Sequence, residues 1–235
     1  MHTLLALDTC GPSLSVALAQ GGKIVFEATC QNGLTHSQSL MPLVEQALAA
    51  GGLDCSQLDA LAAVHGPGSF TGVRIGVETV RALAHAAGKP CFAVSALETL
   101  AMGISLFPGT LCALQDARAG QVYASAFRTG DTGLPEPVLP EEAVALETFL
   151  AHLPEGPCCF AGDGAVAHRS RIREALGARA AFAPANLMAP RASCAALLAL
   201  SRPERAMPWE RLLPYYLRLP QAERERMARE AERHG

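Results

Sequence analysis

The sequence predicts an α/β protein of two lobes, each a mixed sheet with flanking helices. Three observations predict it. An apolar segment ending in aspartate, a short turn and a second apolar segment occupy Thr3 to Gln20, and the same order returns from Leu111 to Arg128. A short apolar run, a glycine turn and a helix-like segment occupy Ala60 to Ala87, and return from Cys158 to Leu176 with Gly162-Asp163-Gly164 at the turn. Strands alternating with helical patterns build α/β sheets, and matching punctuation at two places marks an internal duplication. Finally, half of the 235 residues are hydrophobic and 17% are charged, a composition rich enough for sizeable cores. The first lobe is expected over residues 1–103 and the second over 104–213. Residues 214–235 are expected as an extended segment and a charged helix.

In chain order, Thr3 to Asp8 reads as a buried strand, and Leu14 to Gln20 and Lys23 to Thr29 continue it as a meander turned at Gly21-Gly22. A first helix lies within Ser37 to Ala50, with Leu40, Leu43 and Val44 on one face. Its start is open: a Thr35/Gln38 capping box puts Pro42 inside the helix, whereas a cap at Ser39 leaves the proline in the first turn. Ala60 to His65 is the next strand. A second helix runs over Val73 to Ala87 and is closed by Gly88. Cys91 to Val94 is a strand, followed by a short helix that Ser95 and Glu98 cap.

The second lobe opens with the strand Leu111 to Asp116, the turn Ala117 to Gly120 and the strand Gln121 to Arg128. Gly130 to Pro140 reads as a proline-rich connection and Glu141 to Leu150 as a helix. Cys158 to Ala161 is a strand, and a helical segment ends near Leu176. Arg191 to Leu200 is helical, Pro214 to Arg218 is extended over the body, and Gln221 to Arg233 is a charged helix with i, i+4 ion pairs.

The stretch Gly66 to Gly76, GPGSFTGVRIG, joins a strand to the second helix. Its glycines permit a tight fold-back, and free N–H groups at a helix start favour an anion such as a phosphate. It is no Walker loop, because Val73 and Arg74 follow Gly72 where Lys and Ser or Thr are needed, and its glycine spacing misses the dinucleotide fingerprint. Two readings stay open: a turn that serves packing alone, or an anion site. Asp8 carries a similar pair of readings, a ligand for a metal-bound phosphate or an acceptor of turn N–H bonds.

On the second helix Arg74, Glu78, Arg81 and His85 form one stripe. The remaining arc, roughly 220°, is uncharged, about twice what one sheet face covers. Burial on two sides follows, and the Gly72/Gly76 pair leaves room for a second backbone.

A net charge of -3 argues against broad, non-specific nucleic-acid binding. The eight cysteines lack C-x-x-C spacing and are expected as reduced, buried thiols; the seven histidines show no metal-binding motif. Met1 to Cys10 lacks a signal-peptide pattern and no run reaches membrane-spanning length, so a cytoplasmic protein is expected.

The strings LALDT with SVAL, PLVEQAL, GPGSFTGVRIG, VSALETLA, DAR with GQVYA, and PYYLR resemble, in order, the bacterial TsaB (YeaZ) family, and the duplicated lobes resemble the actin-like ATPase (ribonuclease H-like) fold. The resemblance covers most of the chain and is weakest over Thr129 to Pro157. It implies work in making threonylcarbamoyladenosine beside the anticodon of tRNAs, as a non-catalytic subunit that dimerises with and activates the paralogue TsaD. It further implies an ATPase partner, TsaE, a homodimer when TsaD is absent, tRNA contact through the complex, and no membrane. The paralogue's metal-holding histidines fall in the segment matching Val94 to Ala101, where this chain has none. Leu40, Leu43, Val44, Gly72, Gly76, Thr79 and Leu83 are then expected at or near the shared helical bundle. Asp8, Gly66, Gly68, Ser69 and Asp116 are the candidates for a nucleotide site. No cofactor of its own is expected unless ATP or ADP with magnesium binds in the cleft or at the partner interface. An ATP-dependent phosphotransferase is the alternative function, and a metallopeptidase lacks the ligands it needs.

Overall fold

The computed structural model describes residues 2–33 and 35–218. Its first sheet is built from β1 (Thr3–Asp8), β2 (Leu14–Gln20), β3 (Lys23–Cys30), β4 (Ala60–Val64) and β5 (Cys91–Val94), in the order β3-β2-β1-β4-β5. β1 runs antiparallel to β2 and parallel to β4, and β4 runs parallel to β5. The second sheet contains β6 (Thr110–Asp116), β7 (Gln121–Thr129), β8 (Pro135–Ala145), β9 (Cys158–Ala161) and β10 (Ala180–Phe182), ordered β10-β9-β6-β7-β8. Reading β6 to β10 as counterparts of β1 to β5, the two orders are the same, with the same antiparallel and parallel pairings. The duplication is therefore topological, and the two-lobed actin-like architecture is the one observed.

All six β1 residues are buried because both sheet faces are covered. α1 (His36–Gly51) packs on β2 and β3, and α2 (Phe70–Ala87) on β4 and β1. α7 (Ala192–Leu200) also packs on β1, β2, β4 and β5, and its Ala195, Ala196 and Leu198 belong to the first lobe's core. The chain thus returns to its first lobe at the end, so the expected lobe over 104–213 contains a helix that packs elsewhere. An Ala/Leu helix, apolar on all sides, needs a buried seat, and the first sheet supplies it. α3 (Ala96–Gly103) faces the other way: Leu97 and Leu100 join the core formed with Leu111, Ala113 and Phe127.

Several local expectations meet a different outcome. Thr35 is the N-cap of α1 and Gln38 Oε1 accepts its backbone N–H at 3.3 Å, so Pro42 does lie inside the helix. α2 begins at Phe70, three residues early, because the Ser69 hydroxyl caps it. Ser95 Oγ caps α3 through Leu97 and Glu98, but the Glu98 carboxylate pairs with Arg202 instead of closing a box. Residues 135–145 form a strand, not a linker and the start of a helix; only α4 (Leu146–Ala151) is helical there. β8 is the outer strand of its sheet, where proline leaves no inner ladder bond unmade. The glycine turn after β9 feeds α5 (Asp163–Ala167) and α6 (Arg169–Leu176). The charged helix expected over Gln221 to Arg233 lies outside the described residues.

Beyond α7 the chain straps the first lobe. Met207 pairs with Cys91 through both backbone bonds, at 2.8 and 2.9 Å, and Leu212 is fully buried. Tyr215 donates its N–H to the His65 carbonyl at 2.7 Å and its ring stacks on the imidazole, while Tyr216 lies against Phe70. Arg218 then reaches the Ala117 carbonyl of the second lobe at 3.3 Å.

Candidate functional site

Two regions gather the residues singled out from sequence: the cleft between the hairpin turns and the groove between α1 and α2.

The β1–β2 turn presents Gly11 and Pro12 to the cleft, and the β6–β7 turn presents Asp116, Ala117 and Arg118. Two adjoining cavities open there, of about 360 and 590 Å³, sharing Gly11, Pro12, Gln115 and Asp163. Asp116 and Ser69 line the smaller one. The Asp116 side chain is 22% exposed, and its Oδ1 accepts the Arg118 N–H at 2.9 Å.

Asp8 is placed differently. It is fully buried and lines neither cavity; Oδ1 accepts the Cys10 N–H at 3.0 Å and Oδ2 has no partner among the described residues. Burial pushes its carboxyl up to about 7, and the Asp163 carboxylate adds to the rise. Asp8 therefore takes the turn-capping reading and offers no accessible oxygen to the cleft. A magnesium ion held jointly by Asp8 and Asp116 does not fit this arrangement.

Asp163 is the acid that sequence reasoning left out of the site. Its Oδ1 accepts N–H bonds from Asp116 at 3.2 Å and Gly164 at 2.9 Å, and burial raises its carboxyl above the usual range. The Gly162-Asp163-Gly164 string was its signal: Cβ atoms at either glycine would run into the backbone of Leu114 or Gln115.

Much of the glycine loop is taken up by packing. A Cβ on Gly66 would strike the Tyr215 carbonyl, and one on Gly68 the Cys10 carbonyl. The Ser69 N–H bonds Cys10 O at 2.7 Å, and the Gly72 N–H meets Ser69 Oγ at 3.4 Å. Those donors are engaged within the chain, which leaves Gly66 under the strap and only Gly68 and Ser69 at the cleft.

At the second region, Gly72 and Gly76 do admit a close neighbour, but it is Thr9 of this same chain. Thr9 Oγ1 donates to the Gly72 carbonyl at 2.6 Å, and Cβ atoms at either position would collide with Thr9. Leu40, Leu43 and Val44 are buried in the first core, and of these only Leu40 lines the α1–α2 groove. The groove, about 510 Å³, is lined also by Met41, Ile75, Thr79 and Leu83. Met41 is 41% exposed, and Ile75 and Leu83 are partly buried. Met41 and Ile75 were not singled out from sequence, although the helical period places them beside residues that were. Of the charged stripe of α2, Arg81 and His85 meet Trp209 of the strap, and Glu78, paired with Arg81, stays exposed and also borders the α1–α2 groove.

Among the described residues, no group of three or more His, Cys, Asp or Glu side chains is placed to hold a metal ion. No helix among them is long and apolar enough to cross a membrane.

Comparison with known proteins gives the lineage. The family model of TsaD, tRNA N6-adenosine threonylcarbamoyltransferase, matches residues 31–163. The tRNA threonylcarbamoyladenosine biosynthesis protein TsaB of Bacillus subtilis is 35% identical over 94% of this chain and 96% of its own length. Among solved structures, YeaZ from Pseudomonas aeruginosa superposes with a TM-score of 0.78 at 31% identity, covering 92% of this chain and all of that one. A second Pseudomonas aeruginosa structure, described as similar to peptidase YeaZ, gives a TM-score of 0.80 at 30% identity, covering 93% of this chain and 100% of that chain. The chain belongs to the TsaB (YeaZ) family of tRNA threonylcarbamoyladenosine biosynthesis proteins.

Proposed function

We propose that this chain is the non-catalytic partner of a TsaD-type threonylcarbamoyltransferase, that it binds and activates that enzyme through the α1–α2 groove, and that it works in the cytoplasm. The observation that carries this reading is the groove itself. Met41, Ile75 and Leu83 keep apolar surface open along two adjacent helices whose other faces are already seated on the sheet. Such a face favours a helical partner, and a paralogue built on the same repeat offers equivalent helices. In the paralogue's absence a second copy of this chain occupies the groove. An ATPase of the TsaE kind joins the assembled pair, and tRNA is reached through it.

The cleft supports a nucleotide less well. ATP or ADP with magnesium would find Asp116, Ser69 and Arg118 at its mouth, while Asp8 and most of the glycine loop are occupied within the fold. A phosphotransferase reading needs ATP turnover by the isolated chain.

Reconstitution of tRNA modification tests the proposal. Activity of TsaD should fall strongly when this chain is left out, and should fall similarly when a Met41→Asp, Leu83→Glu variant replaces it. Undiminished modification without the chain overturns the reading.

A further inference from the structure

We infer that α6 carries a phosphate-binding face for RNA, with Arg169 and Arg173 as the contacting residues. The inference rests on the family's role in tRNA modification and names a surface through which the tRNA is held.

Residues 169–179 contain four arginines and one acid, Glu174, in a chain whose net charge is -3. Two of the four are spoken for: Arg171 pairs with Glu147, and Arg179 donates to the carbonyls of Gly156 and Pro154 at 3.0 and 2.6 Å. Arg169 and Arg173 are not paired with a carboxylate among the described residues. Both guanidinium groups instead lie over the ring of Phe182, 4.4 and 5.5 Å from its centroid. Stacking on an aromatic face holds the planar group while leaving N–H donors at its edges, the arrangement suited to phosphate oxygens.

The spacing fits a polynucleotide backbone. Because both guanidinium carbons lie 4.4 and 5.5 Å from one ring centroid, the two cations sit within about 10 Å of each other, close enough to meet neighbouring phosphates of one strand. α6 is well placed to act, because only Ile172 of its side chains is buried, and Arg169 also borders the larger cleft cavity. An acidic protein segment would be attracted by the same charge; the family's tRNA chemistry favours RNA.

The test uses the full chain assembled with TsaD and a transcript of a tRNA reading codons that begin with adenosine, titrated across a range of salt concentrations. Replacing both arginines (R169A/R173A) should weaken binding about tenfold or more and flatten the log–log salt dependence by about 1.4, at about 0.7 per phosphate. R169K/R173K keeps the charge and should keep the salt slope, which guards against misreading a folding defect. Unchanged affinity and slope in R169A/R173A overturn the inference, as does loss of an acidic protein partner with tRNA binding intact. These failures differ from failure of the underlying function: an alanine variant with unaltered tRNA affinity that still supports modification removes only the RNA face. A wild-type chain that gives modification no support removes both.

Discussion

The Ser69 backbone N–H bonds the Cys10 carbonyl at 2.7 Å, fastening the glycine loop to the first hairpin turn. The same contact line continues to Thr9, which sits where side chains would be at Gly72 and Gly76. The small residues of α2 thus hold the first lobe together.

Gly76→Leu should accordingly damage the fold before it damages any association. Overpacking of this kind costs about 1–3 kcal/mol, and more where backbone must shift. The thermal midpoint of the isolated chain should drop, and a midpoint equal to the wild type would show that the Thr9 contact is dispensable.

Met41→Asp should behave in the opposite manner. Its side chain is 41% exposed, so stability should change by less than about 0.5 kcal/mol. Sedimentation velocity should nevertheless show loss of self-association and of TsaD binding.

Asp8 should make stability depend on pH. Its carboxyl is raised from 3.8 to about 7, so between those values the folded chain keeps a proton that the unfolded chain has released. Stability from this group is full below pH 3.8, declines as pH rises through 7, and is level beyond. Asp8→Asn preserves an oxygen for the Cys10 N–H and removes the charge; urea denaturation at pH 5 and pH 8 should show the variant gaining most at the higher pH.

Leu212→Ala should loosen the strap. The side chain is wholly buried in the first core, and truncation of such a leucine costs about 2–5 kcal/mol. Limited proteolysis should cut the variant between residues 207 and 218 sooner than the wild type.

The sequence carried the fold because strand positions are written in composition: β1, β2, β5 and β9 are each built on an apolar run bounded by turn residues. β8 was illegible for a definite reason. Prolines spaced through Pro135, Pro137 and Pro140 look like a linker, and only the sheet order shows that the strand lies at an edge where they are tolerated. The site was partly legible. The helical wheel gave the surplus apolar arc of α2 but not which segment covers which part of it. Spacing alone leaves open which backbone approaches Gly72 and Gly76, and it is Thr9 that arrives there from within. Asp163 announced itself only as a turn residue, since its approach to Asp116 spans 47 positions of chain.

The placement of α7 bears on how the molecule is born. A ribosome delivers β1 to β5 early, yet the helix that shields them emerges more than ninety residues after β5 is complete. The nascent amino-terminal half must wait, with one side of its sheet bare, for nearly the whole polypeptide to appear. Cutting the gene between the lobes should consequently yield an aggregating front fragment, rescued only by co-expression of the remainder.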